Sequence, residues 1–250
     1  MENLSRRTFA KDTLRGLLTF SLLETLFECD ALADKVEPVI VRWLNDINQL
    51  GFDLKEKKLA QVDWQKKVEE LFSRVELSEL LTLIDFQRVT RNLKLKDNGA
   101  RSLRFDFRQL EGVPEKLAYG KQIFALKKGR SVVPHGHNNM ATAFLILKGR
   151  FHGRHYDRVQ DEKDHLIIRP TIDDKFGPGG CTTVSDYKDN VHWFQSESEP
   201  AFIFNIHVLG VGEGVKRTGR VYVDPFGEKL KGGLIRAKRL NDDQAHEMYG

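Results

Sequence analysis

Near residue 96 the spacing of apolar side chains changes, and this change constrains the fold more than any other feature of the chain. From about Val36 to Leu95 apolar residues recur every third or fourth position, the period of an amphipathic helix. Val39, Val41, Trp43, Leu44, Ile47 and Leu50 predict a first helix with Gly51 as its stop. Trp64, Val68, Leu71 and Phe72 share one face of a second helix over Trp64–Val75, and Ser78, just ahead of Glu79-Leu80-Leu81, is expected to cap a third. The polar run Lys94–Arg101 contains Asn98-Gly99, a turn signal and a boundary. Beyond it the period is two. Leu103, Phe105 and Phe107 alternate with Arg104, Asp106 and Arg108, as in a half-buried strand. Strand-like runs follow at Gln122–Leu126, Ser131–Val133, Ala143–Leu147, Leu166–Ile168, Ala201–Val208 and Arg220–Val223, separated by turn residues such as Gly177-Pro178-Gly179-Gly180. Many short strands with no helices between them argue for an antiparallel sandwich or barrel. The expected fold is therefore mostly β, with an α-helical N-terminal segment packed onto a small barrel.

Composition narrows the partners. The 40 basic and 36 acidic residues leave a net charge of only +4, and the two signs are interspersed. A nucleic-acid surface needs a basic stripe with interleaved aromatics, and none is present, so no nucleic-acid partner is expected. No apolar run approaches the roughly 20 residues that span a bilayer, so no permanent membrane span is expected either.

Histidine is distributed unevenly. Of 8 in the chain none precedes His135, and seven lie between His135 and His207. His135 and His137 are one residue apart, which on a strand projects both rings to the same face. Two neutral imidazoles aimed into a barrel can share one divalent ion. His152 and His155, three apart, point to opposite faces of a strand and are expected in surface or packing roles. Arg154 and Tyr156 share the His152 face of a regular strand, where either can meet a bound anion. His165 and His246 carry no functional expectation. Gly177–Gly180 lacks the lysine and helix of a nucleotide loop and reads as a turn.

The stretch from Gly129 through His135 and His137 to Thr142 and Gly149 resembles the first motif of the cupin superfamily. That motif has a glycine six before the first histidine, a His-x-His pair, a glutamate and a later glycine. Thr142 stands in the glutamate's place. His192 resembles the third histidine, in the second motif; Ser196 stands where asparagine is common, and Tyr187 and Asp189 replace a proline and a glycine. The resemblance covers roughly residues 100–225 and implies a double-stranded β-helix, or jelly-roll, with His135, His137 and His192 as metal ligands.

A ligand set without the glutamate resembles the three-histidine thiol dioxygenases, the cysteine dioxygenase-like branch of the cupins. This implies iron(II), with zinc or another divalent ion as the alternative, and a small thiol or similar anionic substrate together with dioxygen. A thiolate would restore the charge that a neutral ligand set does not supply. Asn205-Ile206-His207-Val208-Leu209 is similar to that branch's Ser-x-His-x-Tyr strand. His207 matches the histidine that stands outside the ligand set, Asn205 replaces serine, and Leu209 replaces the catalytic tyrosine. Thr142 also stands near the place of that branch's cross-linking cysteine, so that cross-link is not expected. His207 and Thr142 are accordingly the candidate catalytic residues. Thr90-Arg91-Asn92 resembles the carboxylate-binding arginine segment only faintly. Two other classes stay open. Leu209 favours a non-catalytic metal- or ligand-binding module, and an isomerase or hydrolase would need a carboxylate such as Glu162 or Asp186 near the ion.

At the N-terminus, residues 5–11 (Ser-Arg-Arg-Thr-Phe-Ala-Lys) resemble a twin-arginine export motif, followed by the apolar stretch Leu14–Phe27 and the small residues around Ala31-Leu32-Ala33. An exported, periplasmic protein is the expectation. Leu14, Leu17, Leu18 and Leu22 also fit an amphipathic first helix in a cytoplasmic protein, and Glu24 and Glu28 interrupt the apolar stretch. Cleavage after Ala33 would remove Cys29 and leave Cys181 without an intrachain partner. The expected organisation is a signal segment over 1–33, a helical segment over 34–96, a barrel over 97–226 and a C-terminal extension over 227–250.

Overall fold

A computed structural model describes residues 38–212 and 218–250 of the chain. The expected export segment lies outside these residues. Among the described residues there are five α-helices and eleven strands, so the chain is mostly β with its helices concentrated ahead of the sheets, as expected. No helix among them is long and apolar enough to cross a membrane.

Strand order defines the barrel. One sheet runs β1 (Arg101–Leu103), β2 (Gly120–Leu126), β9 (Ala201–Leu209), β4 (Met140–Lys148), β7 (Cys181–Val184). The other contains β3 (Ser131–Asn138), β8 (Val191–Ser196), β5 (Phe151–Asp161) and β6 (His165–Phe176), all antiparallel. If β2 to β9 are taken as eight consecutive strands, the first, eighth, third and sixth form one sheet and the second, seventh, fourth and fifth the other. That order is the double Greek key of a jelly-roll. A C-terminal hairpin, β10 (Gly219–Lys229) and β11 (Ile235–Leu240), then pairs with β3 on one side and β6 on the other and closes the second sheet. The expected boundary at 226/227 falls inside β10. A final helix, α5 (Asp242–Tyr249), is held by a capping box between Asn241 and Gln244.

Between the sheets Phe124, Phe144, Phe151, Phe194 and Ile203 form an apolar core. A second cluster, with Leu166, Ile168, Val191, Val223 and Ala237, lies on the opposite face of β8. The largest cluster covers the outer face of the first sheet, where the helices pack on Phe202, Phe204, Ile206 and Val208 of β9. Alternation along β9 thus puts Phe204 under the helices and Asn205 and His207 in the interior.

The helices also position loops. α1 (Val39–Lys55) buries Ile40, Trp43, Leu44, Ile47 and Leu54, and its Asn48 accepts from the Ala118 amide (2.8 Å) and donates to the Lys116 carbonyl (2.9 Å), which fixes the entry into β2. Gly51 does not stop this helix. It lies inside it, because a Cβ there would come within 2.9 Å of the Ala118 Cβ, and glycine permits that approach. From α2 (Gln61–Ser73) Gln61 accepts from the Asp186 amide (2.9 Å) and Gln65 accepts from the Ser185 hydroxyl (2.8 Å), which ties down the loop ahead of β8. Ser78 falls inside α3 (Leu77–Ile84), which follows Glu76 without a side-chain cap bond and is held instead by burial of Leu80, Leu83 and Ile84. A short α4 (Phe86–Thr90) follows. The strand pairs over Arg101–Leu103, so of the segment expected as a strand over Leu103–Phe107 only Leu103 meets a neighbour; Phe105 and Phe107 are buried as their alternation predicts, but without ladder bonds.

Candidate metal centre

β3 carries Val133-Pro134-His135-Gly136-His137, and its register against β8 shifts between Val132 and His135. Proline, which cannot donate to a ladder, is tolerated at such an irregularity. His135 then lies directly opposite His192. Directly opposed residues share a face, so the rings of His135, His137 and His192 all enter the jelly-roll interior. The ring centroids of His135 and His192 are 4.3 Å apart, and each lies 4.9 Å from that of His137. One ligand nitrogen from each of the three falls within 4.8 Å of the others, so this group can hold a metal ion.

In each of the three rings Nδ1 faces an oxygen. The Nδ1 of His135 donates to the Val133 carbonyl at 2.7 Å, and that of His192 faces the Asn190 carbonyl at 3.4 Å. The Nδ1 of His137 is 3.3 Å from the Thr142 hydroxyl. The two carbonyls can only accept, which leaves Nε2 as the lone-pair nitrogen of His135 and His192; the Thr142 hydroxyl does the same for His137 when it accepts from Nδ1, and the Nε2 atoms of His135 and His137 are only 3.1 Å apart. Two such lone pairs repel unless a proton or a cation lies between them. Burial holds all three imidazoles well below their usual pKa; for His135 and His137 the charge that His192 would carry adds to it, and for all three the Arg220 cation does. They therefore stay neutral at physiological pH, the state a metal ligand needs. Three neutral nitrogens aimed at one point, with their other nitrogens engaged, fit a divalent transition metal.

Thr142, on β4, pairs across to His207 on β9. The His207 Nδ1 is 3.4 Å from the Asn205 Oδ1, which also accepts from Gln122 (3.1 Å), and Gln122 accepts from Ser102 (2.5 Å). The ring lies so close over Gly120 that a Cβ there would be 2.3 Å from Nε2. Burial, reinforced by Arg220, lowers the His207 pKa. A cavity of about 650 Å³ opens onto this group, with Phe124, Val132 and Phe144 as apolar wall and Arg104, Lys121 and Arg220 as basic residues. Gly120, Gln122 and Arg220 carried no functional expectation from sequence, although the last two lie in runs read as strands.

The remaining histidines divide as expected of His152 and His155. The His152 ring contacts Asp173 on the surface, while His155 is fully buried against Phe194 at 5.4 Å, its ring 6.1 Å from that of His192. Burial, with a smaller contribution from Lys188, pushes the His155 pKa down to about 3. Arg154 stacks on Trp193 at 4.3 Å, and a register shift between His155 and Tyr156 breaks the regular strand. Neither Arg154 nor Tyr156 lines the cavity. Asp186 is bound by Gln61 (3.1 Å) and Glu162 pairs with Arg236 (2.8 Å); neither reaches the cavity. Leu209 is 41% exposed at the end of β9 and is likewise outside its lining.

Thr142→Val keeps the volume and removes the hydroxyl beside His137. Partners of this kind are typically worth ten- to a hundredfold in metal affinity, so a drop of about tenfold is expected in competitive chelator titrations.

No family model matches the chain, and no curated protein does. Solved structures similar to parts of it include procruciferin, an 11S globulin from Brassica napus (12% identity, TM-score 0.31, 42% of this chain and 23% of that one). Pro-11S globulin of pumpkin is 11% identical with TM-score 0.36, covering 54% of this chain and 32% of that one. An uncharacterized conserved protein with a double-stranded β-helix domain from Klebsiella pneumoniae is 10% identical with TM-score 0.34, covering 54% and 87%. The chain thus spans less than a third of the globulins' length. The jelly-roll assignment rests on strand order.

Proposed function

We propose that this chain is a metal-dependent cupin whose ion, iron(II), is held by His135, His137 and His192, and that it oxidises a small thiol or similar anionic ligand with dioxygen. The observation that carries the reading is a buried group of three neutral imidazoles with Thr142, not a carboxylate, beside it. Bound there, iron(II) would supply a centre at which thiolate and dioxygen combine, both oxygen atoms passing to sulfur to give a sulfinate. The neutral ligand set leaves the ion's double charge uncompensated, which favours an anionic substrate. Thr142 orients His137. His207, its Nδ1 directed at Asn205, keeps Nε2 as an acceptor for a thiol proton at the cavity wall. Phe124, Val132 and Phe144 limit water around the reacting atoms. For location, residues 5–11 support export, which cell fractionation of the tagged full-length chain checks.

The exposed position of Leu209, where the dioxygenase branch has its tyrosine, favours a second reading as a non-catalytic metal-binding module. Dioxygen uptake separates the two. The iron-loaded protein is expected to show thiol-dependent uptake with sulfinate as product. Uptake no greater than that of the metal-free control across a thiol panel overturns the oxygenase reading, and tightly retained zinc would support the module.

A further inference from the structure

Just ahead of β8, Asn190 is buried behind the strand that carries two of the three histidines. Its Nδ2 donates to the His137 carbonyl (2.9 Å) and to the Ser185 carbonyl (2.8 Å). Carbonyl oxygens can only accept, so the amide has one orientation and both of its N–H donors are used. Its Oδ1 has no hydrogen-bond partner among the described residues and lies against Gly136, where a Cβ would come within 2.6 Å of it. Alternation along β3 turns position 136 away from the face of His135 and His137, so the Asn190 amide backs the strand. The Asn190 carbonyl also faces the His192 Nδ1 at 3.4 Å. One residue thus contacts both strands from which the three imidazoles project.

The same residue is tied to the helices. The Ser185 hydroxyl donates to the Gln65 Oε1 (2.8 Å) and accepts from the amides of Tyr187 and Lys188 (3.2 Å each). Gln65 lies on α2 and is as fully buried as Ser185 and Asn190. A continuous line of buried hydrogen bonds therefore runs from the helical segment through Ser185 and Asn190 to the backbone of His137. Buried networks of this kind fix one arrangement, because any unpaired member is costly. The metal-free centre needs such a restraint, since the Nε2 atoms of His135 and His137 stand 3.1 Å apart.

We infer that Asn190 and Gln65 are positioning residues of the metal centre. Through Ser185 they hold His137 and His192 in ligand geometry before an ion arrives, so that metal affinity depends on the helical segment. The inference rests on the reading of the three histidines as metal ligands.

Competitive chelator titrations with cobalt(II) test it, with urea unfolding of the metal-free protein measured alongside. Asn190→Leu keeps the branched outline and removes both donors, and roughly tenfold weaker cobalt binding is expected. Gln65→Met keeps a long, unbranched helix former and reaches the centre only through the Ser185 loop; it is expected to weaken cobalt binding at least about threefold, and it decides the matter where Asn190→Leu does not fold. Thr183→Val is the control. It removes a hydroxyl that bonds Glu69 of the same helix (2.6 Å) without touching the line to Asn190, and cobalt affinity is expected to stay within about twofold. Cobalt binding weakened less than about threefold in the folded variants, whatever their stability, overturns the inference, as does an equal loss in Thr183→Val. If the unaltered chain binds no cobalt, the three-histidine reading fails and the inference with it.

Discussion

Alanine at His192 is expected to take the purified protein from about one metal ion per chain to about a tenth of that or less after gel filtration, measured by elemental analysis. The expectation follows from the small number of ligands. Apparent binding energies of about 10–16 kcal/mol for four-ligand zinc sites put each protein ligand at roughly 3 kcal/mol, so losing one of three costs on the order of a hundredfold in affinity. His192 has no substitute close by. The nearest further imidazole on its strand register, His155, has its ring 6.1 Å away and is not among the three whose nitrogens converge. His155→Ala is therefore the control. It removes an equally buried ring from the same interior and is expected to leave metal content unchanged. Loss of metal in both variants would point to a collapsed interior instead of a lost ligand.

The largest effect on stability is expected at Phe204. Its side chain is fully buried between the first sheet and the helices, with the Phe72 ring 6.2 Å away and the Phe105 ring 6.1 Å away. Phe204→Ala forfeits the transfer energy of the ring and leaves a cavity that the two flanking rings, on different segments, cannot readily close, so about 3–5 kcal/mol of destabilisation is expected in urea unfolding. Against a typical domain stability of about 5–15 kcal/mol that is a large fraction. The same substitution should lower metal affinity little, because residue 204 points away from Asn205 and His207 on the strand's other face. An unfolding free energy within about 1 kcal/mol of that of the unaltered chain would show that the helices do not depend on this contact.

How much of this was legible in the sequence depends on the range of the interaction. The change of period near residue 96 reports a local property, and the division into helices and strands follows it. The His135–His137 spacing places both rings on one face whatever the partner strands are, which is why the pair is found at the site. Gly129 and Gly149, which frame the pair, both adopt positive φ (80° and 86°), and at Gly149 a Cβ would meet the Ser198 Oγ at 2.5 Å. Gly51 shows the limit of local reading. Glycine is a common helix stop, yet here it is demanded by Ala118 in a distant segment. β10 shows it again. Arg220 and Tyr222 meet His137 and His135 through a strand pairing across more than eighty residues of chain, and nothing in the local pattern reports that pairing. Nor did local pattern reveal that Phe105 and Phe107 would be buried without a ladder partner, since alternation reports burial and not pairing.

X-ray absorption at the iron edge of the iron(II)-loaded protein tests the central claim most directly. The account predicts one ion per chain with about three imidazole nitrogens in its coordination shell, and the loss of one of them in His192→Ala. An ion whose shell contains no imidazole, or a set of imidazoles unaltered in His192→Ala, would contradict it.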